Sequence, residues 1–452
     1  MNIIIVGQGK LGTTMTKQLV AEGHDVAVID TRREKVESVV DVYDVLGVCG
    51  NGASCEVLEE AGAAKAKLII ATTASDELNI LACLTAKRMG TEHTIARVRN
   101  PDYANHHQFL QKELGINMIV NPEFETANEI SRIIRFPSAA HLDSFAKGKV
   151  EIASLRIHSD NPLCDTPVHD LRKKTKAKVI ICAVQRDDEV FIPSGDFVIK
   201  CDDVISVTGT RSELVSLMRQ CGVYRHKIKN ILIIGGGRIG FYLAKQLSDT
   251  GRKIKLIEHN ESKCYSLSEN LPDDVTVIFG DGTDQEILDE QRLEYQDALV
   301  ALTGIDEENI IVSMYAESKG VNKVITKVNR HSFSILNDIG LETIVSPQIV
   351  AGNLVTRYVR ALHNSADNAQ IQTLHKLVNG KVEAAEFIVP ENAGYLDIPF
   401  KDLNLLPNLL IGCIMRNGKI IFPGGNDVMK AGDSVVVVTA NRILEDLHDI
   451  FV

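Results

Sequence analysis

The chain is 452 residues long and 44% apolar, which is ample for several packed domains. Its formal charge of −11 disfavours nucleic acid or an anionic membrane as a ligand held by non-specific electrostatics. Nine cysteines without a Cys-x-x-Cys pair predict reduced thiols and no metal site. Since no apolar run approaches the ~18 residues of a membrane helix, we expect a cytoplasmic protein that meets a membrane only through a partner.

Residues 3–12, IIIVGQGKLG, combine an apolar strand with a glycine turn. An uninterrupted apolar run is typical of a strand covered on both faces in a parallel sheet. Gly7, Gly9 and Gly12 then follow the Gly-x-Gly-x-x-Gly spacing, which permits a tight turn, a close pyrophosphate and close helix packing. The pattern predicts a helix from Lys10 to Glu22 whose N-terminal amides face phosphate groups.

Strands alternate with helical segments over about residues 1–136, as in a doubly wound parallel sheet. Asp30 ends the second apolar run, 18 residues after Gly12, where a ribose-binding acid is expected. The loops after the first five strands should lie at one edge of the sheet and form the ligand site. The predicted strands are Asn2–Val6, Asp25–Asp30, Tyr43–Cys49, Leu68–Ala71, His93–Arg97 and Met118–Val120.

Four polar side chains at this edge are candidate ligand contacts. Thr72 and Thr73 offer hydroxyl groups. Arg97 either pairs with phosphate, lies over an adenine ring or is a solvated strand-end cation. Lys10 either reaches phosphate or is an exposed cation at the start of a helix.

The whole module is repeated in tandem. Residues 231–240 read ILIIGGGRIG, so that the glycine turn and its acid recur 228 positions later. After a two-residue insertion the offset becomes 230, and ATTASDELNI at 71–80 matches ALTGIDEENI at 301–310. FIPSGDFVIKCDDVISVTG at 191–209 matches IFPGGNDVMKAGDSVVVVTA at 421–440. A duplicated two-part unit explains all of these matches.

An amphipathic helix is predicted at the end of each first part. Ile130, Ile133, Ile134 and Phe136 recur at three- and four-residue steps, and Leu354–Val359 has a similar face in the second copy. Such a face needs either the next part of the chain or another subunit to pack on. We expect it to join units and to carry a nucleotide-induced shift between them.

The second part of each unit, about 149–224 and 381–452, is small and of α+β type. Its Asp-Asp turns are interpreted as solvated loops and not as catalytic pairs. His169 stands beside a carboxylate and an arginine in HDLR, but the second copy reads FKDL and lacks the histidine. No catalytic residue is therefore predicted.

With GQGKLG, ATTASDELNI, IARVRNPDY, NPEFETANEI and the FIPSGDFVIKCDDVISVTG stretch, the chain resembles the TrkA family over essentially its whole length. The resemblance implies two tandem Rossmann-like, doubly wound parallel-sheet domains of α/β class, each followed by a small α+β RCK C-terminal domain. The implied boundaries are 1–140, 141–226, 227–365 and 366–452. The family is regulatory: it implies binding of NAD(H) and/or ATP and ADP, and a homotetramer beneath a Trk/Ktr-type potassium channel membrane subunit.

Motifs and resemblance together predict two nucleotide sites, the second with a longer acid and a lysine in place of the arginine. The first consists of Gly7, Gln8, Gly9, Lys10, Leu11, Gly12, Asp30, Thr31, Gly50, Asn51, Thr72, Thr73, Ala74 and Arg97. The second consists of Gly235, Gly236, Gly237, Arg238, Ile239, Glu258, Asp281, Thr303 and Lys327.

Two other functions stay open at this point. One is an NAD-dependent oxidoreductase, although each Rossmann unit is followed by the same small module and not by a substrate domain. The other is a nucleotide-sensing scaffold for some other partner.

Overall fold

The computed structural model describes residues 1–100, 103, 111–135, 142–187, 189–222, 228–248, 250–329, 341, 343–363, 371–378, 381–440, 442, 444 and 446–451. The chain divides into two compact units. One comprises Met1–Ser131 with Ile228–Thr356, and the other comprises Arg132–Lys227 with Arg357–Val452. In the described parts of the chain, no helix has the length and apolarity that crossing a membrane requires.

The first half of the first unit is a six-stranded parallel sheet in the order β3-β2-β1-β4-β5-β6. Its strands are β1 Asn2–Val6, β2 Asp25–Asp30, β3 Leu46–Cys49, β4 Leu68–Ala71, β5 His93–Arg97 and β6 Met118–Val120. Residues 3–6 are buried on both faces, as their apolar run predicts. The third strand begins at Leu46 and not at the predicted Tyr43, because residues 41–44 form a solvent-exposed turn after the second helix.

Helices cover both faces of this sheet. They are α1 Lys10–Ala21, α2 Arg33–Val40, α3 Cys55–Glu60, α4 Asp76–Met89 and α5 Pro122–Arg135. The first of them ends one residue before the predicted end at Glu22. Helix α4 begins where the Ser75 hydroxyl accepts a hydrogen bond from the Leu78 amide, which satisfies one of the helix's free N-terminal donors.

The small sheet that follows is antiparallel and belongs to the second unit. Its order is β11-β10-β13-β8-β7, and β9 pairs separately with β12. Its strands are β7 Leu142–Phe145, β8 Val150–Arg156, β9 Thr166–Pro167, β10 Ile180–Arg186, β11 Glu189–Phe191, β12 Val198–Ile199 and β13 Val204–Gly209. The accompanying helices are α6 Leu171–Thr175 and α7 Arg211–Gln220.

The second half of the chain repeats both sheets. The parallel order is β16-β15-β14-β17-β18-β19, and the antiparallel order is β20-β21-β24-β22-β23. The parallel strands are β14 Asn230–Ile234, β15 Lys253–Glu258, β16 Val275–Phe279, β17 Ala298–Ala301, β18 Lys323–Lys327 and β19 Ile344–Val345. The helices are α8 Arg238–Ser248, α9 Glu261–Asn270, α10 Gln285–Glu290, α11 Asp306–Ser318 and α12 Pro347–His363. The antiparallel strands are β20 Ile371–Leu377, β21 Val382–Ile388, β22 Leu409–Arg416, β23 Lys419–Ile421 and β24 Ser434–Ala440.

The two antiparallel sheets share an apolar core inside the second unit. Val150 and Cys182 of the first sheet are buried in one cluster with Val382, Cys413 and Val436 of the second. Burial of this shared face removes apolar surface from water and holds the two small sheets together.

An ion pair recurs in each small sheet and corrects the interpretation of the Asp-Asp turn at residues 202–203. Asp202 is exposed, but the side chain of Asp203 is completely buried and accepts hydrogen bonds of 2.8 Å from both Nε and Nη2 of Arg186. Arg416 makes the same bidentate contact with Asp433. Asp203 therefore holds the first small sheet together. The sequence Asp-Asp alone does not distinguish this role from that of a solvated turn.

The prediction that all nine cysteines are reduced is wrong for two of them. Cys164 and Cys201 form a disulfide with a Cα–Cα distance of 5.3 Å, although 37 positions separate them in sequence. The remaining seven are free thiols. Folding brings this pair together, and no local motif reports that approach.

Candidate functional site

One cleft of about 1210 Å³ collects the strand ends of both parallel sheets in the unit Met1–Ser131 with Ile228–Thr356. Gly7 and Gly9 line it from the first glycine turn, and Gly235 and Gly237 line it from the second. Ligands of open parallel sheets bind at the carboxyl ends of the strands. Both predicted nucleotide sites therefore open into the same space.

The three glycines of the first turn have different physical roles. Gly7 has a φ of +93°, a left-handed conformation that L side chains rarely adopt. A Cβ at Gly12 would collide with the carbonyl oxygen of Gly7, so this glycine is needed for close packing of helix on strand. A Cβ at Gly9 would meet no atom within 4 Å, which leaves the space beside Gly9 for a ligand.

Most predicted residues line the cleft. From the first site they are Gly7, Gly9, Lys10, Leu11, Asp30, Thr31, Gly50, Thr72, Thr73, Ala74 and Arg97. From the second they are Gly235, Gly237, Arg238, Ile239, Glu258, Asp281, Thr303 and Lys327. Gln8, Gly12, Asn51 and Gly236 stand outside the lining.

Two of the residues outside the lining act within the protein. The buried Gln8 side chain accepts a hydrogen bond from the Thr16 hydroxyl through Oε1, over 3.3 Å. Asn51 Oδ1 accepts the Ala53 amide over 3.1 Å and shapes the loop after β3.

The acid at the end of β2 supports the glycine turn. The backbone amide of Gln8 donates to Asp30 Oδ2 over 2.7 Å, and the backbone amide of Arg32 donates to Oδ1 over 2.9 Å. In the second half the amides of Gly236 and Asn260 donate to Glu258 in the same way, both over 3.0 Å. Each acid is thus fixed at the rim of its turn, where a ribose is expected.

The hydroxyls of Thr72 and Thr73, which line the cleft, also donate hydrogen bonds inside the protein. Thr72 Oγ1 donates to the Gly7 carbonyl over 3.0 Å, and Thr73 Oγ1 donates to Asn79 Oδ1 over 2.7 Å. The two residues therefore fasten the loop after β4 to the glycine turn and to α4.

Asn79 is a structural residue of the site that the sequence analysis missed. It accepts the Thr73 amide over 2.7 Å and donates to the Arg97 carbonyl over 2.9 Å, which ties the ends of β4 and β5 together. Asn309 makes the matching bonds to Thr303 and Lys327. The internal repeat could have identified this residue, because asparagine occupies the matching positions 79 and 309 in the two copies.

The cleft wall carries more positive than negative charge, although the whole chain is acidic. Eight Lys or Arg residues line it against five Asp or Glu residues. The cations are Lys10, Arg32, Lys35, Arg97, Arg99, Arg238, Lys263 and Lys327. The acids are Asp30, Glu123, Glu258, Asp281 and Glu308. Such a cleft favours an anionic ligand such as a polyphosphate.

The cations at the ends of β5 and β18 are mostly buried. Burial lowers the pKa of the Arg97 guanidinium, Arg99 lowers it further, and Glu123, whose Oε1 lies 3.9 Å from Arg97 Nη2, acts against both. Burial likewise lowers the pKa of the Lys327 ammonium, which donates to the Thr303 carbonyl over 2.5 Å. A bound anion would replace the water that these two groups have lost.

The last helix of each parallel-sheet half packs on the first helix of the other half. Gln246 of α8 donates to Asn128 of α5 over 2.9 Å, and the rings of Phe124 and Tyr242 meet edge to face with centroids 5.4 Å apart. In the matching contact, Gly352 of α12 lies so close to Gln18 of α1 that a Cβ there would collide with the glutamine amide. The helix that starts at each glycine turn therefore contacts the opposite half.

The predicted apolar face on α5 exists but is already covered. Ile130, Ile133 and Ile134 are all buried within one chain, so this face needs no second subunit to pack on. Phe136 lies outside the described residues. In the second copy Val355 and Val359 are buried and Leu354 is partly exposed.

Comparison with known proteins agrees with this architecture. Residues 3–122 and 231–347 match the TrkA-N domain, and residues 152–222 and 384–452 match the TrkA-C domain. The Trk system potassium uptake protein TrkA homolog 1 of Methanosarcina mazei is 32% identical over an alignment of 460 positions that covers 100% of both chains.

Two solved structures share the fold. The GsuK channel bound to NAD has a TM-score of 0.62 at 20% identity, over 97% of this chain and 76% of that chain. GsuK bound to ADP has a TM-score of 0.51 at 18% identity, over 79% of this chain and 69% of that chain. The repeated sheets, the paired glycine turns and the full-length relative lead to one conclusion: this chain belongs to the TrkA family, as a tandem pair of TrkA-N and TrkA-C domains.

Proposed function

We propose that this chain is the nucleotide-sensing regulatory subunit of a potassium uptake channel. As a TrkA-family protein it is a regulatory component of potassium transport and not an enzyme, which excludes the oxidoreductase alternative. The observation that carries the proposal is the cationic cleft that both glycine turns share. A ligand there touches the first helix of one half, and that helix contacts the last helix of the other half.

The proposed ligands are NAD(H) and/or ATP and ADP. The glycine turns suit a pyrophosphate, and Asp30 stands where a ribose is expected. The surplus of cations in the wall suits the phosphate charge of either ligand class. GsuK, which shares the fold, has been solved both with NAD and with ADP, and this is consistent with both classes.

The proposed mechanism is a shift between two arrangements of the paired halves. Moving a two-state gate from 1:99 to 99:1 takes ~5.5 kcal/mol of differential binding. Four chains that act on one gate need supply only ~1.4 kcal/mol each, a tenfold preference of the nucleotide for one arrangement. A nucleotide without such a preference would not move the gate, however tightly it bound.

The proposed partner is a Trk/Ktr-type membrane subunit, with this chain as a homotetramer on the cytoplasmic face of the membrane. Leu81 on α4 and Ile311 on α11 occupy matching positions in the two halves and are 52% and 66% exposed. Matching exposed apolar side chains favour a surface that a second copy covers. Replacing both with Asp should lower the oligomeric mass measured by light scattering while the circular dichroism spectrum of the folded chain is retained.

The decisive experiment measures potassium flux through the co-reconstituted membrane partner, with and without each nucleotide. Gly9→Ala and Gly237→Ala should each reduce the nucleotide response, because each methyl group enters free space in its turn without meeting another protein atom. Gly394→Ala is the matched control, since Gly394 lies outside the cleft and its Cβ would also meet nothing within 4 Å. Flux that ignores every nucleotide would contradict the proposal and favour the scaffold alternative. A nucleotide response that is equal in all four proteins would instead contradict the placement of the ligand at the glycine turns.

A further inference from the structure

The two ribose-site acids occupy matching positions but differ in how many hydrogen bonds they already accept. A carboxylate offers about four lone-pair positions. Asp30 accepts two hydrogen bonds, from the amides of Gln8 and Arg32, and 10% of its side chain is exposed. The neighbouring cations are too far away for hydrogen bonds, at 3.9 Å for Arg32 Nε and 4.0 Å for Lys35 Nζ. Two acceptor positions of Asp30 therefore remain for a ligand.

Glu258 is covered. Its Oε2 accepts the Gly236 amide over 3.0 Å and the Lys263 ammonium over 2.9 Å. Its Oε1 accepts the Asn260 amide over 3.0 Å, and Nδ1 of His259 lies 3.1 Å from the same oxygen. Only 2% of the side chain is exposed. Three hydrogen bonds from protein donors thus occupy Glu258, and the imidazole of His259 stands beside its remaining acceptor position.

The charge state of Glu258 agrees with this geometry. Burial by itself raises the pKa of the Glu258 carboxyl. The hydrogen bonds from Lys263 and from the backbone amides of Asn260 and Gly236, together with the charge of Lys263, outweigh that effect, and the pKa lies below its usual range. The acid is a carboxylate held by its own protein, with Lys263 as the movable donor.

Lys263 and Lys35 stand at the same position of the repeat, 228 residues apart. The difference arises from the acid, because Glu has one methylene more than Asp and brings its carboxylate to the lysine. In this type of site the ribose hydroxyls donate to the acid at the end of the second strand. Lys263 is the side chain that already donates a hydrogen bond to Glu258, so a ribose in the second half would compete with it for the carboxylate.

We propose that Lys263 makes the second site insensitive to ribose hydroxyls. That site takes a nucleotide through its phosphates and base, whereas the first site requires the free 2′- and 3′-hydroxyls that Asp30 accepts. Lys263 is therefore a specificity-determining residue. The inference rests on the proposed nucleotide binding and adds the ligand class that each site selects.

The test compares ADP with 2′,3′-dideoxy-ADP by calorimetry on the full chain. Gly9→Ala is expected to weaken the first site at least tenfold, and Gly237→Ala the second, so each chain reports mainly on its other site. In the Gly9→Ala chain we expect the two ligands to bind within about threefold of each other. Adding Lys263→Met should raise the preference for ADP at least tenfold, the low end of what a hydrogen bond to a charged group supplies. Lys263→Gln is the second variant, in case the methionine alters the fold.

The matched control is Lys35→Met in the Gly237→Ala chain. There the preference for ADP should be at least tenfold with either residue at position 35, because Lys35 does not cover Asp30. A second site that already prefers ADP tenfold, or one whose preference stays unchanged with Lys263→Met and Lys263→Gln, would overturn the inference. Absence of ADP binding at the second site in all of these variants would overturn it too. Absence of binding at both sites would instead refute the proposed function.

Discussion

Asp30→Ala is the sharpest test of the first nucleotide site. The substitution removes a carboxylate that accepts the Gln8 and Arg32 amides and still has two free acceptor positions toward the cleft. The glycine turn and the cations of the wall, which would contact the phosphates, remain present after the substitution, although the Gln8 backbone amide of the turn loses its acceptor. The expected effect is therefore weaker binding and not its complete loss.

The magnitude follows from the number of hydrogen bonds lost. One hydrogen bond from a ribose hydroxyl to a carboxylate contributes about 1.5–3 kcal/mol, which corresponds to roughly 10- to 150-fold in affinity. The alanine also leaves the partly buried Gln8 amide without its acceptor, at a cost of about 1–3 kcal/mol in the free energy of unfolding. Asparagine is a poor substitute, because its NH2 group would face one of the two backbone amides.

Calorimetry with ADP in the Gly237→Ala chain measures the first site alone. A thermal melt must first show that Asp30→Ala is folded. Glu258→Ala in the Gly9→Ala chain is the matched control and should change ADP affinity by less than about threefold, since the ribose does not reach that covered acid. A folded Asp30→Ala chain that binds ADP within threefold of its parent would refute the assignment of Asp30 to the ribose.

Three further outcomes are expected. Gly9→Ala should keep the melting temperature of the parent but bind nucleotide at least tenfold more weakly, whereas Gly12→Ala should lower the melting temperature. The reason is that the methyl group at position 12 meets protein atoms and the one at position 9 does not. Equal melting temperatures of the two variants would contradict this. Asp203→Ala should lower the free energy of unfolding in urea by about 1–3 kcal/mol, since it removes the buried acceptor of the partly exposed Arg186 guanidinium and of the Lys200 backbone amide, and a loss under about 0.5 kcal/mol would count against that role. Burial raises the pKa of Cys83 to about 12, so at about pH 8 iodoacetamide should alkylate the exposed Cys49 and spare Cys83, which mass spectrometry of the native protein can check.

Local sequence patterns determined the framework of each half. The apolar runs predicted five of the first six strands with their observed bounds, because a strand buried on both faces must be apolar along its length. The ends of those strands meet at one edge of a parallel sheet, so the loops after them could be assigned to a ligand site from chain order alone. The internal repeat carried the same assignment to the second half.

Only the tertiary structure decided how the halves and their side chains combine. The shared cleft depends on contacts between residues that are far apart in sequence, such as the bond between Asn128 and Gln246 at a separation of 118. The sequence shows Asp30 and Glu258 at matching positions, but it does not reveal that Lys263 covers Glu258. One additional methylene changes which donor the carboxylate reaches. The disulfide of Cys164 and Cys201 likewise joins two residues that only the folded chain brings together. Periodicity reports which face of an element is buried, but partners across a fold are chosen by distances that exist only after the chain has packed.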